Sequence, residues 1–119
     1  MKIKYSIILF TSFAAFLILS GCSSKPDWNQ LMDDIEQKQI RAEKVMDLSA
    51  SNPTLQAAAR DLMEVYLQAA QAYPDSTNSP LFLYKAAKLK AYPFKKYDET
   101  ISMLNELRQD YPEHPVAER

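Results

Sequence analysis

The chain contains seven prolines, and all but Pro26 fall into two sets of three. Tyr73-Pro74, Tyr92-Pro93 and Tyr111-Pro112 are stops. A proline disfavours helix at the residue before it, so each tyrosine ends a helix while its ring can fold back on the last turn. Asn52-Pro53, Ser79-Pro80 and His114-Pro115 are starts, because a proline in the first helical position lacks only an N–H that would have had no partner there. The single glycine is Gly21, so nothing after it favours a left-handed backbone. Punctuation of this kind cuts the chain into helix-length pieces.

The residues between the stops carry the matching periodicity. From Asp27 to about Leu48, Trp28, Leu31, Met32, Ile35, Ala42, Val45 and Met46 recur at steps of three and four. Asp27 suits the N-cap and Asp34 pairs with Lys38 one turn on. From Pro53 to about Tyr73, Leu55, Ala59, Leu62, Tyr66 and Ala69 form a stripe. Ala58, Met63, Leu67 and Ala70 broaden it, which predicts a helix contacted on two sides. Helices over 80–92 and 97–110 follow, joined by Pro93-Phe94-Lys95-Lys96, a turn short enough to make neighbours antiparallel. The expected fold class is all-α: antiparallel helical hairpins in a stack of three to four helices.

Composition excludes several functions. One Cys and one His cannot supply the three or four ligands of a zinc site, and one Cys cannot form an intrachain disulfide. A Gly-rich phosphate cradle is impossible beyond Gly21. The net charge is −1, and about −3 once Lys2 and Lys4 are set aside, which argues against nucleic acid. No nucleophile with a base, and no pair of carboxylates on one helix face, is evident. Asp33-Asp34 and Asp98-Glu99 are sequence neighbours that point apart, and His114 stands alone between Glu113 and Pro115 as a loop residue at a helix start. The expectation is a non-enzyme with no metal, no cofactor and no small-molecule substrate.

The N-terminus reads as an export signal. Lys2 and Lys4 precede the apolar run Ile7–Leu19, which is of signal-peptide length and short for a membrane span. Leu19-Ser20-Gly21-Cys22 then resembles the lipobox of bacterial lipoproteins. That resemblance implies cleavage between Gly21 and Cys22, diacylglycerol on the Cys22 thiol and an N-acyl lipid on its new amino group, a stable anchor with more than one chain. Ser23 resembles the outer-membrane class of that family, which implies the periplasmic face of the outer membrane. Residues 1–21 are then a cleaved signal, 22–26 a lipidated tether of at most about 3.5 Å per residue, and 27–119 the helical domain.

Setting Tyr73-Pro74 over Tyr111-Pro112 places Leu62 over Thr100, Tyr66 over Leu104, Ala69 over Leu107 and Asp75 over Glu113. Residues 54–119 thereby resemble the tetratricopeptide repeat, with a period of about 34 residues and a proline closing its second helix. The variant they look most like, a Tyr-Pro-acid stop followed by Ser-Pro, occurs in the helical lipoprotein of the outer-membrane β-barrel assembly machinery and in related cell-envelope repeat proteins. Only about one and a half repeats are present, so the exposed end of the stack is expected to be covered by the first helix or, as the alternative, by a partner.

Candidate binding residues cluster in and after the third helix. Tyr84, Lys85, Lys88, Lys95, Lys96 and Tyr97 combine positive charge with aromatic surface suited to an anionic partner or lipid head groups. Lys85 and Lys88 share a face and Lys90 lies well round from them. The plainer reading is a solvated face followed by a polar turn. Tyr66, Tyr84 and Tyr97 are also candidates for a groove, whereas Tyr73, Tyr92 and Tyr111 read as structural closers. The expected function is a membrane-anchored protein–protein interaction module of the bacterial envelope, with outer-membrane protein assembly implied by the resemblance alone. The alternatives are a regulatory subunit of a cell-wall enzyme and a structural spacer without a partner.

Overall fold

The computed structural model describes residues 24–119, which contain four α-helices and no strand. The signal 1–21, the cleavage and lipidation residues Gly21 and Cys22, and Ser23 lie outside the described residues. The helices are α1 (Trp28–Glu43), α2 (Pro53–Ala72), α3 (Ser79–Ala91) and α4 (Tyr97–Asp110), followed by a short 3-10 turn at Pro115–Glu118.

Helix starts follow the sequence closely. The Asp27 carboxylate accepts the Gln30 N–H at 3.1 Å, and the Asn52 side chain accepts the Thr54 N–H at 2.9 Å. Both satisfy amides that have no intrahelical partner. At α3 the hydroxyl of fully buried Ser79 donates instead to the Tyr73 carbonyl, tying the start of α3 to the end of α2. Before the last turn His114 acts as the cap, its Nδ1 accepting the Val116 N–H at 3.2 Å. The stops fall where the Tyr-Pro pairs place them. Tyr73, Tyr92 and Tyr111 are the C-caps of α2, α3 and α4.

The helices stack in chain order. α2 packs against α1 on one side and α3 on the other, and α4 packs against α3. Neighbours are antiparallel. Trp28 at the start of α1 meets Tyr73 at the end of α2, and Lys90 late in α3 pairs with Glu99 early in α4. Because α2 is central it is buried on two sides, with Leu55, Ala58, Ala59, Leu62, Val65, Tyr66, Ala69 and Ala70 all inside. The aromatic residues unite the three helices: Phe82 of α3 stacks on Tyr66 of α2 at 5.6 Å and reaches Trp28 of α1 at 6.3 Å between ring centroids. By contrast α4 buries Leu107 alone, so it contributes least to the core.

Two differences from expectation have physical causes. α1 ends at Glu43 and not near Leu48. Beyond it the amides of Val45, Met46 and Leu48 bond to carbonyls three residues back, so the chain tightens into successive turns although Val45 and Met46 continue the apolar spacing. The segment after His114 is one 3-10 turn, whose Val116 is buried while Ala117 accepts the Arg108 Nε–H at 3.1 Å.

The closing tyrosines share one device. Each helix-ending ring sends its hydroxyl to a carbonyl of an earlier connection: Tyr73 to Pro26 at 2.7 Å, Tyr92 to Leu48 at 3.4 Å, and Tyr111 to Pro74 at 3.0 Å. Tyr73 is the best integrated. Trp28 meets it edge-on at 5.0 Å and the Lys25 ammonium lies 3.8 Å from its ring centroid.

Candidate functional site

α1 and α3 both rest on α2, and their backbones do not meet. At the Trp28 end, side chains fill the space between them. Toward the other end they leave a groove of about 270 Å³. Its floor is Leu62 and Tyr66 of α2, its walls include Ala42 of α1 and Leu89 of α3, and Met46 and Tyr92 stand at its mouth. Both mouth residues are unusually open for their type, with Met46 51% and Tyr92 45% exposed. Polar groups line the rims, with Glu43 on the α1 side and Lys85 and Lys88 on the α3 side.

Tyr66 links floor and rim. Its ring is buried, and the Lys85 ammonium sits 5.6 Å from the ring centroid. Burial, and secondarily the Glu43 carboxylate, push its phenol up to about 12, so at neutral pH the hydroxyl is firmly protonated. No described group hydrogen-bonds it, and it is not sealed from solvent. The groove therefore offers an apolar bed for a side chain, a neutral hydroxyl on its floor, and two ammonium groups facing one carboxylate across it.

The six residues singled out from the sequence separate into two places. Lys85 and Lys88 lie on the groove rim, and Tyr84 is beside them, its ring 5.6 Å from the Lys88 ammonium. Lys95, Lys96 and Tyr97 lie at the α3–α4 turn, outside the groove. There Lys96 approaches Glu99 at 3.4 Å, while Lys90 also holds Glu99 and helps keep its carboxyl below the usual range. The Tyr92–Pro93 peptide of this turn is cis and Lys95 is left-handed at φ 57°. The turn closes with Lys95 N–H donating to the Ala91 carbonyl and Lys96 N–H to the Lys90 carbonyl, each at 3.0 Å.

Sequence reasoning did not find Ala42, Glu43, Met46 or Tyr92 as groove residues. The end of α1 supplies Ala42 and Glu43 and the turns after it supply Met46, all beyond the reach of a pattern confined to α3. Tyr92 carries both roles, its hydroxyl reaching the Leu48 carbonyl while the residue stays exposed at the groove mouth. Among the described residues no group of three His, Cys, Asp or Glu side chains gathers to hold a metal, and no helix is long and apolar enough to cross a membrane. Searches against protein-family models, curated proteins and solved structures found no match.

Proposed function

We propose that this chain is a lipid-anchored adaptor of the bacterial cell envelope, held at the periplasmic face of the outer membrane through Cys22, and that the groove between α1 and α3 receives a segment of a partner protein. The groove is the observation that carries the reading. It joins an apolar floor to a charged rim, the arrangement in which buried anchors supply affinity and flanking charges supply register.

Its position supports a protein and not a membrane surface as the occupant. The chain enters the domain at Lys25-Pro26 against Tyr73, beside the start of α1, the end of α2 and the start of α3. The groove mouth and the Lys95-Lys96 turn lie at the other end of α3, which at 13 residues is about 20 Å long. A tether of four or five residues keeps the Trp28 end nearest the lipid and turns the mouth toward the periplasm. The tetratricopeptide-like punctuation is in keeping with an adaptor, and outer-membrane protein assembly is the pathway that resemblance suggests.

In-cell crosslinking of the full-length, C-terminally tagged protein tests this reading, followed by mass spectrometry of what co-purifies from the membrane. The expected result is an envelope protein whose recovery falls at least tenfold with Lys85→Glu and Lys88→Glu together. A cell-wall enzyme as the recovered partner makes the chain a regulatory subunit. Correct lipidation with no partner overturns the adaptor in favour of a spacer, and a Cys22→Ala chain that matures and partitions normally overturns the anchor.

A further inference from the structure

α4 turns a second apolar surface to solvent, separate from the groove. Tyr97 is 59% exposed and Ile101 57%, and half-buried Leu104 continues the same stripe at steps of four and three. One turn further along that stripe is exposed Arg108, whose Nε–H is used by the Ala117 carbonyl but which has no carboxylate partner among the described residues. Asp98, beside Tyr97, has no cationic partner among the described residues. The 3-10 turn lies against α3 and α4 and leaves the Tyr97–Ile101 end of the stripe open.

We infer that this face binds the same face of a second copy of the chain, with the two α4 helices antiparallel. The stripe is self-complementary about a point midway between Ile101 and Leu104. A two-fold axis there sets Ile101 against the second copy's Leu104, and simultaneously Tyr97 against its Arg108. Each pairing occurs twice, as an isologous interface requires. Each Arg108 guanidinium then covers an exposed tyrosine ring and turns its remaining N–H groups toward the Asp98 carboxylate. A parallel arrangement stacks Arg108 on Arg108 and Asp98 on Asp98. A single helix of 14 residues, about 21 Å long, makes an interface at the small end of the specific range. The pair is therefore weak in dilute solution and depends on copies being concentrated on one surface.

The test uses the full-length protein in its own membranes, with a photoactivatable residue in place of Ile101 in one experiment and of exposed Ile40 in another. Ile101 is expected to give an adduct of twice the monomer mass, and Ile40 none. Tyr97→Arg, which disturbs no internal hydrogen bond, is expected to reduce the adduct at least tenfold by setting two cations face to face. Arg108→Glu is expected to do the same by meeting Asp98. Co-expression of the Tyr97→Arg and Arg108→Glu chains restores the adduct, since one antiparallel contact then joins Arg to Glu and the other remains native. Absence of a self-adduct at Ile101, an adduct there to a different protein, or failure of the mixed pair to rescue overturns the proposal. Matching thermal melts of the variants and the parent show that the loss is not unfolding.

Discussion

Phe82→Ala is the substitution that bears most directly on how the helices hold together. Phe82 is 6% exposed, stacks on Tyr66 with planes 20° apart and lies 6.3 Å from Trp28. It therefore fills the space where α1 and α3 come together over α2. Truncating a buried phenylalanine costs about 3–5 kcal/mol, the lost transfer energy plus the cavity left behind. A domain of roughly a hundred residues has about 5–15 kcal/mol in all, so most of the stability is at stake. Urea unfolding of the full chain in mild detergent, followed by fluorescence of the single tryptophan, reads the change. With a slope of about 1–1.5 kcal/mol per molar for a chain this small, the midpoint should fall by about 2–5 M at unchanged slope. Ile40→Ala on the outer face of α1, 41% exposed, should move it by less than about 0.5 M. A Phe82→Ala shift as small as that control would refute the idea that the aromatic stack joins the three helices.

Other predictions concern single contacts. Tyr73→Phe keeps the ring on Trp28 but deletes the bond to Pro26, and should cost about 1 kcal/mol, or roughly 4–8 °C in Tm for a domain this small. Tyr111→Phe, whose bond is exposed, should cost less, and the reverse order would contradict the ranking. Tyr66 has a folded pKa above its ordinary 10.0, so its contribution is whole below pH 10 and is lost as pH climbs toward about 12. Tyr66→Phe should therefore flatten the alkaline fall in stability across that window. Equal alkaline sensitivity in thermal melts of both proteins would show that the phenol does not govern it. Lys95→Gly relieves a left-handed residue at φ 57°, and after glycine's own entropy cost should raise stability by about 0.5–1 kcal/mol; no rise in urea midpoint would count against strain there.

How much of this was legible beforehand depended on whether a local chemical signal existed. The Tyr-Pro stops and the Asn52 and Asp27 caps act within a few residues, and α2, α3 and α4 lie close to where those signals put them. The end of α1 had no such marker. Val45 and Met46 keep the apolar rhythm while the backbone turns away, and no proline or glycine announces it. The burial of α2 on two faces was readable from its doubled stripe, because width of pattern reports number of neighbours. The groove was half readable. Lys85 and Lys88 share a face by helical arithmetic, but their position opposite Glu43 and over Tyr66 depends on how α1 and α3 are each seated on α2. No periodicity within one helix encodes that seating. The same limit hid the clasp between Tyr73 and Pro26, two residues far apart in sequence.

That clasp also decides how the domain responds to force. A pull on the chain ahead of Lys25 does not first meet the free end of α1. It meets the Pro26 carbonyl bonded to Tyr73, and Trp28 and Lys25 against the same ring, so tension passes sideways into the end of the longest and most buried helix. Peeling α1 from its end would break its contacts one turn at a time. Loading it through Tyr73 requires the clasp to rupture first. Under a pull from that side, the point of first rupture is therefore a single carbonyl–hydroxyl bond and one tyrosine ring, and α1 separates only after they give way.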